Sequence, residues 1–469
     1  MKQISSRSFD FTRGSIVREL VLFTIPIVIG ELLQSLYNSV DALIVGNFAG
    51  AAPLAAVSAC GQPVQLVVGF FNGMSVGTMV VIGRHFGKSG ASDRESGRSK
   101  NGASDSEGGL STSIKVAYTL SVFLGLFLSV AACLGVPLIS AVQNFPAEVR
   151  GLAELYLRLY FIGMVFIVVY NNGTGILRAL GDARTPFRIL AATCVLNVFL
   201  DLLFVALLKM GVAGVAIATT LSQMVSAAHL SRRLKEQLGG SCFSPALLAA
   251  NREMVSEIFN IGLPSGMQSA LISFSNLFVW RHIGGFGTAA MAGIGVGQKL
   301  DKFIVLPCKS FGTAVTAFVS QNVGAQDEAR ARKGTLNCLL LAMLVTYGLA
   351  VPVYIFAGPF VGLFTREPGV IAVGVAFMRF VTPFYGFMGL REVMLGVLRG
   401  HGHSKIPMLL SLFGMVVLRQ IYLAWAMTDH PRVENIYFCY PMAWACTALL
   451  VTGYYLLVRG RFAPEKKAV

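Results

Sequence analysis

Apolar runs long enough to cross a bilayer recur along nearly the whole of this 469-residue chain, and no other feature restricts its fold so severely. Hydrocarbon offers backbone N–H and C=O groups no partner, so a spanning segment must satisfy them within itself. Repeated runs of this kind predict an all-α integral membrane protein. Composition agrees, since 55% of the residues are hydrophobic and only 13% charged, against about 25% charged in soluble domains. Hydropathy marks twelve spans, near residues 17–45, 53–86, 113–137, 149–177, 187–208, 211–231, 254–283, 289–320, 335–357, 370–398, 406–428 and 436–458.

The formal charge of +15 would invite a nucleic-acid reading in a soluble chain. Here no basic block is interleaved with aromatics outside the apolar runs, and Lys and Arg fall mostly in short connecting loops, so no nucleic-acid partner is expected. With the N-terminus inside, 25 basic residues collect on the inner side, Arg84, Arg184, Arg232, Arg330 and Arg399 among them. Five lie outside: Arg150, Lys209, Arg281, Arg366 and Arg432. The positive-inside rule then places both termini in the cytoplasm, and the chain as a multi-pass protein in the cytoplasmic membrane. The opening "MKQISSRSFDFTRGSIVREL" has no apolar core before a small-residue cleavage site, so the first apolar run reads as a retained span.

Several chemistries leave no trace. The eight cysteines show neither a CxxC pair nor His partners at zinc spacing, and read as reduced packing residues. His401 and His403 are a weak metal signal in what reads as a cytoplasmic loop. There is no Walker A motif and no nucleophile with a paired base, so neither ATP-driven work by this chain alone nor enzyme chemistry is expected, and no cofactor.

The two halves repeat one another. "VGFFNGMSVGTMVVIGRHFGKS" from Val68 fits "VLPCKSFGTAVTAFVSQNVGAQ" from Val305, and "ILRALGDARTP" from Ile176 fits "VLRGHGHSKIP" from Val397. Pro26 falls on Pro264. The first half is longer through "SGASDRESGRSKNGASDSEGG", a Gly/Ser-rich stretch with the composition of a flexible linker. These matches divide the chain into an N-terminal lobe at 1–231, a cytoplasmic linker at 232–252 and a C-terminal lobe at 253–469. Six spans per half keep corresponding helices parallel, which predicts a pseudo-two-fold along the membrane normal, an architecture of secondary transporters.

Polar residues inside the spans are the candidates for function. Glu31, Gln34, Asn38 and Asp41 form one helical stripe in the first span, and Asn197 and Asp201 lie a turn apart in the fifth. Counting about 1.5 Å per residue from the outer ends puts Asp41 about 6 Å, Asp201 about 10 Å and Thr219 about 12 Å down. A central Asp costs about 2.5–3.5 kcal/mol to insert and usually marks a pathway or relay. Two carboxylates held close resist joint ionisation, so either a proton or a hard cation such as Na⁺ is expected at Asp41 and Asp201. The second half differs: its first span has no carboxylate between Ile258 and Arg281, while Lys299, Lys302, Lys309, Arg379, Arg391 and Arg419 outnumber Asp301 and Glu392 at apparent membrane positions.

The motifs "TIP...LYNSVDALIVG", "PLAAVS", "LRALGDARTP", "SQNVGAQDEARAR" and "LRGHGHSKIP" together resemble those of the multidrug and toxic compound extrusion (MATE) transporters over essentially the full length. The resemblance implies two six-helix lobes forming a V around a central cavity, and antiport of organic compounds, cationic and amphipathic, against H⁺ or Na⁺. It favours the branch with its cation site in the N-terminal lobe, whose residues Asp41, Asn197, Asp201 and Thr219 match one for one. Glu31, Gln34, Tyr37, Asn38, Asn276 and Glu392 are the residues expected to face substrate. The chain is expected to meet small molecules and the lipid bilayer, and to act as a monomer. A flippase for anionic lipid-linked precursors is the alternative, favoured by the basic second half.

Overall fold

The computed structural model describes residues 9–95, 100–143, 145–429 and 431–462. Among them the regular structure is helical. In chain order the helices are α1 Ile16–Ile44, α2 Ala51–Glu95, α3 Lys100–Gln143, α4 Ala147–Ile162, α5 Met164–Ala179, α6 Arg184–Asp201, α7 Gly211–Leu238, α8 Pro245–Ala250 and α9 Arg252–Gly284. They continue with α10 Thr288–Gly324, α11 Glu328–Ile355, α12 Ala357–Gly362, α13 Pro368–Val381, α14 Tyr385–Gly400, α15 Lys405–Leu412, α16 Arg419–Asp429 and α17 Val433–Val458. Three π turns interrupt the series, at Val45–Ala49, Leu202–Leu207 and Phe413–Leu418.

Nine helical stretches among the described residues are long and apolar enough to cross a membrane, ten when the bent pair α4 and α5 counts as one. That pair turns through 47° around Gly163. The bend frees carbonyls that lipid could not satisfy, and hydroxyls from neighbouring helices take them: Ser129 donates to Phe161 O at 2.6 Å and Thr220 to Leu159 O at 3.3 Å. The remaining long helices, α1 and α9, have 29 and 33 residues, enough for about 43 and 50 Å, but carry more polar positions.

The described residues divide into two compact units, one made of Ile25–Gly266 with residues 9–10, the other of Phe11–Thr24 and residues 267–462. The first packs α2, α3, α4, α5 and α7 around a core that includes Phe71, Tyr156, Phe161, Val205 and Val215. The second packs α10, α11, α13, α14 and α17 around Ile294, Ile304, Phe377, Tyr385 and Trp444. Apolar side chains also stand outward: Leu134, Leu138 and Val142 are 77%, 69% and 75% exposed along α3. Only a lipid solvent leaves such a row unpenalised.

Local chemistry sets the turns. In "LRALGDARTP" Gly181 takes φ +79°, and its carbonyl accepts from Phe9 N at 3.0 Å, so closely that a Cβ there would lie 1.9 Å from Phe9 O. Asp182 next to it accepts from Thr185 N at 2.9 Å and from the Thr185 hydroxyl at 2.6 Å, opening α6. In "SQNVGAQDEARAR" Asp327 accepts from Arg330 N at 2.9 Å and opens α11. Arg330 then donates to Phe11 O at 2.7 Å, and Gln321 accepts from Phe11 N at 2.9 Å, fixing residues 11–24 in the second unit. The repeat is imperfect, since His403, which stands where the duplication repeats Asp182, bonds the Tyr454 hydroxyl at 3.0 Å instead.

The Gly/Ser-rich stretch does not follow its composition. α2 runs into it as far as Glu95 and α3 begins at Lys100, while residues 96–99 lie outside the described ones. A helix already nucleated by an apolar span propagates cheaply, and a penalty of about 1 kcal/mol per glycine does not halt it.

Close packing in the first unit is set by glycines. A Cβ on Gly73 would meet Gly266 N at 2.3 Å, and one on Gly77 would meet Ile258 O at 2.3 Å, so α2 and the first part of α9 touch backbone to backbone. Gly73→Val should therefore lower stability by about 1–3 kcal/mol, whereas Gly61→Ala, with nothing within 4 Å of the added carbon, should stay within about 0.5 kcal/mol of the parent. Thermal unfolding of the two variants in detergent checks the contrast, and equal midpoints would contradict it.

Candidate functional site

Three helices of the first unit bring the predicted polar residues together. α6 carries Thr193, Asn197 and Asp201 at successive turns, all inward, with 7%, 1% and 0% of their surface exposed. α1 contributes Asp41, 8% exposed, and α7 contributes Thr219, 5% exposed. Ser226 of α7 donates to Thr193 Oγ1 at 2.9 Å, joining the two helices about two turns before Asp201.

Asn197 links the acids. With its amide turned so that the nitrogen faces the carboxylates, it donates to Asp41 Oδ1 at 3.0 Å and to Asp201 Oδ2 at 3.2 Å. One nitrogen bonding both keeps those two oxygens within about 6 Å of each other. At that separation and an effective dielectric near 20, two full negative charges repel by about 3 kcal/mol. A shared proton or a bound cation removes that cost. Asp201 Oδ1 is buried with no hydrogen-bond partner among the described residues, which leaves an acceptor position open for either.

Irregular backbone frames the pair. Asp201 immediately precedes the π turn Leu202–Leu207, and Asp41 lies one turn before the π turn Val45–Ala49. The widened i to i+5 bonds, Leu208 N to Leu203 O at 2.9 Å and Gly50 N to Val45 O at 3.2 Å, mark both. The two π turns pack on one another, so both carboxylates are delivered to one locus.

A tyrosine shell surrounds the acids, and sequence reading missed its α4 members, Tyr156 and Tyr160. Tyr156 and Tyr160 of α4, stacked with ring centroids 5.9 Å apart, both neighbour Asp41, as does Tyr37 of α1, which also reaches Thr219. The available signal was the i, i+4 spacing of tyrosines in "ELYLRLYFI".

Glu31 and Gln34 line a cavity of about 90 Å³ in the same unit, with Asn72 and Ser75 of α2, Asn171, Thr174 and Arg178 of α5, Gln223 of α7 and Tyr160. Tyr37 is half-buried and Asn38 exposed, and neither is among its lining residues. Asn276 and Glu392 belong to the second unit: Asn276 is exposed on α9, and Glu392 pairs with Arg391. Arg391 also donates to Met415 Sδ at 2.9 Å, and Arg419, 1% exposed, donates to Ser275 Oγ at 2.7 Å. His401 meets Glu328 Oε2 at 3.1 Å. No group of three or more His, Cys, Asp or Glu suited to a metal occurs among the described residues.

Removing the amide exposes the acids to each other. Asn197→Ala should cost about 1.5–3 kcal/mol, the range for a hydrogen bond to a charged group, seen as a lowered thermal midpoint in detergent. An unchanged midpoint would show that the amide does not bridge the pair.

The MatE family profile matches residues 26–92, 99–203 and 264–425. The probable multidrug resistance protein YpnP of Bacillus subtilis is 31% identical over 419 residues, covering 89% of this chain and 90% of its own length. The probable multidrug resistance protein YoeA of the same organism is 25% identical over 456 residues, covering 95% of both chains. Among solved structures, a MOP superfamily transporter from Pyrococcus furiosus superposes with a TM-score of 0.86 at 21% identity, over 98% of this chain and 100% of that one.

Proposed function

The chain belongs to the MatE family, and we propose that it is a secondary active multidrug efflux antiporter that exports organic, cationic amphipathic compounds in exchange for H⁺ or Na⁺. It is a multi-pass membrane transporter and not an enzyme. The observation that carries the coupling part of this reading is the single amide joining two buried carboxylates in a helix bundle.

Asp41, Asn197, Asp201 and Thr219 are the coupling residues in this reading, which places the chain in the branch with its cation site in the N-terminal lobe. Entry of H⁺ or Na⁺ from outside neutralises the pair and alters packing around α1, which Pro26 interrupts. The hold on substrate then weakens, and competition for one negative site produces exchange. One charge moving through about 100 mV supplies about 2.3 kcal/mol, enough for roughly a 50-fold concentration ratio.

Twelve spans follow if α1 and α9, long but polar, cross with the ten stretches that pass on composition. The lobes are then 1–231 and 253–469, joined by 232–252 and related by a pseudo-two-fold along the membrane normal, in a V with a central cavity. The excess of basic residues in the connecting segments supports cytoplasmic termini and residence in the cytoplasmic membrane. All the proposed coupling residues lie in one chain, so a monomer suffices, and nucleic acid has no part. Glu31, Gln34, Tyr37, Asn38, Asn276 and Glu392 complete the reading as substrate-facing positions.

A second reading, a flippase for anionic lipid-linked precursors, draws on the buried Arg391 and Arg419 of the second unit. Dye efflux from everted vesicles under separately imposed proton and sodium gradients separates the two. Asp41→Asn should abolish cation-driven export of a cationic dye while leaving the protein folded in the membrane. Full efflux in that variant would contradict the coupling site, and export that depends on Arg391 and Arg419 but on neither gradient would favour the flippase.

A further inference from the structure

The cavity of the first unit is too small to seat an exported compound. At about 90 Å³ it falls well below the roughly 300–1,000 Å³ of drug-sized sites, yet it has room for about three waters at ~30 Å³ each. Its wall offers what water bonds to: Gln34 of α1, Asn72 of α2 and Asn171 of α5, with Gln223 Oε1 buried and without a protein partner. Two charges also face it, Glu31 and Arg178, which interact electrostatically but form no ion pair within 4.0 Å among the described residues.

The cavity adjoins the coupling pair. Tyr160 forms part of its wall and neighbours Asp41. Along α1, Gln34, Tyr37 and Asp41 continue the stripe that begins at Glu31, and the ten residues from Glu31 to Asp41 span about 15 Å, half the hydrocarbon core. Arg178 makes this route unsuitable for a metal cation, which its guanidinium repels. A proton can instead pass along hydrogen bonds between the wall's polar groups and sit only transiently on the Glu31 carboxylate.

We infer that the cavity is a hydrated proton route through which the Asp41–Asp201 pair discharges to Glu31, on the side of the basic loops, and hence that the coupling ion is a proton. This rests on the carboxylate pair being the coupling site. In the transfer the O–H bond of the Asp41 carboxyl breaks, a cavity water takes that proton and gives up another, and an O–H bond forms on the Glu31 carboxylate. Asp41 is left anionic and Glu31 neutral, until Glu31 releases its proton to cytoplasmic water. Glu31 is faced by Arg178 and Tyr170 of α5, and Asp41 by Asp201 and Cys194 of α6, Tyr156 and Tyr160 of α4, and Tyr37 of its own helix.

The test uses the full-length protein in liposomes with ethidium as the transported probe. Glu31→Gln should slow proton-driven net export by at least about tenfold, toward the loss seen when a positioned acid–base group is removed. Ethidium–ethidium counterflow, which requires no proton release, should fall far less than net export, any loss there measuring the contact of Glu31 with substrate, and Glu31→Asp should restore net export. Tyr160→Phe, which keeps the ring, should slow net export severalfold with counterflow intact, and it carries the test if the Glu31 variant does not fold. Loss of both activities together, wild-type net export in both variants, or full export driven by Na⁺ at equal pH would overturn the inference. The coupling site itself fails only if Asp41→Asn exports normally; a dead Asp41→Asn beside a normal Glu31→Gln sinks the route alone.

Discussion

A charge that leaves water inside a lipid-bounded bundle must find compensation among its neighbours, because the medium supplies none. The two units meet this demand with opposite signs. In the first, two carboxylates share the amide of Asn197 and are ringed by tyrosines, with no basic residue hydrogen-bonded to them among the described residues. In the second, buried guanidiniums spend their N–H groups on Glu392, on the Met415 sulfur and on the Ser275 hydroxyl. A full counter-ion would lock the acids into one state. An amide holds them in place while leaving their charge free to change, which is the property a coupling site needs.

The carboxylates were legible because helical periodicity and depth are both linear in sequence. Asn197 and Asp201 share a face by spacing alone, and counting rise per residue set Asp41, Asp201 and Thr219 at nearly one level before any contact was known. The linkage was not legible, since whether Asn197 turns toward α1 depends on how α6 packs, and no local pattern encodes that. The tyrosines of α4 were missed for a related reason: in an apolar run, a tyrosine reads as ordinary packing until its neighbour proves to be an acid. The span count shows the same boundary. α1 and α9 escape a purely compositional test because polar residues interrupt their apolar runs, and the Gly/Ser-rich stretch misleads because composition weighs residues without regard to the helices on either side.

The recurring motifs turn out to be architectural. "LGDARTP" and "GAQDEAR" each place an aspartate that opens a helix by accepting backbone N–H groups, and each fixes a piece of the chain's start, Phe9 in one unit and Phe11 in the other. Such motifs identify a family because they set where helices begin. They carry no information on what is transported.

The π turn beside Asp201 has a consequence for ancestry. A π turn amounts to one surplus residue wedged into an α-helix, so everything beyond Leu202–Leu207 is rotated by about 100° relative to an uninterrupted helix. Insertion of a single codon is therefore enough to re-aim the outer end of α6, and deletion of one would undo it. Such a change of aim takes an indel of one amino acid, a shorter evolutionary path than any series of substitutions that must repack the bundle.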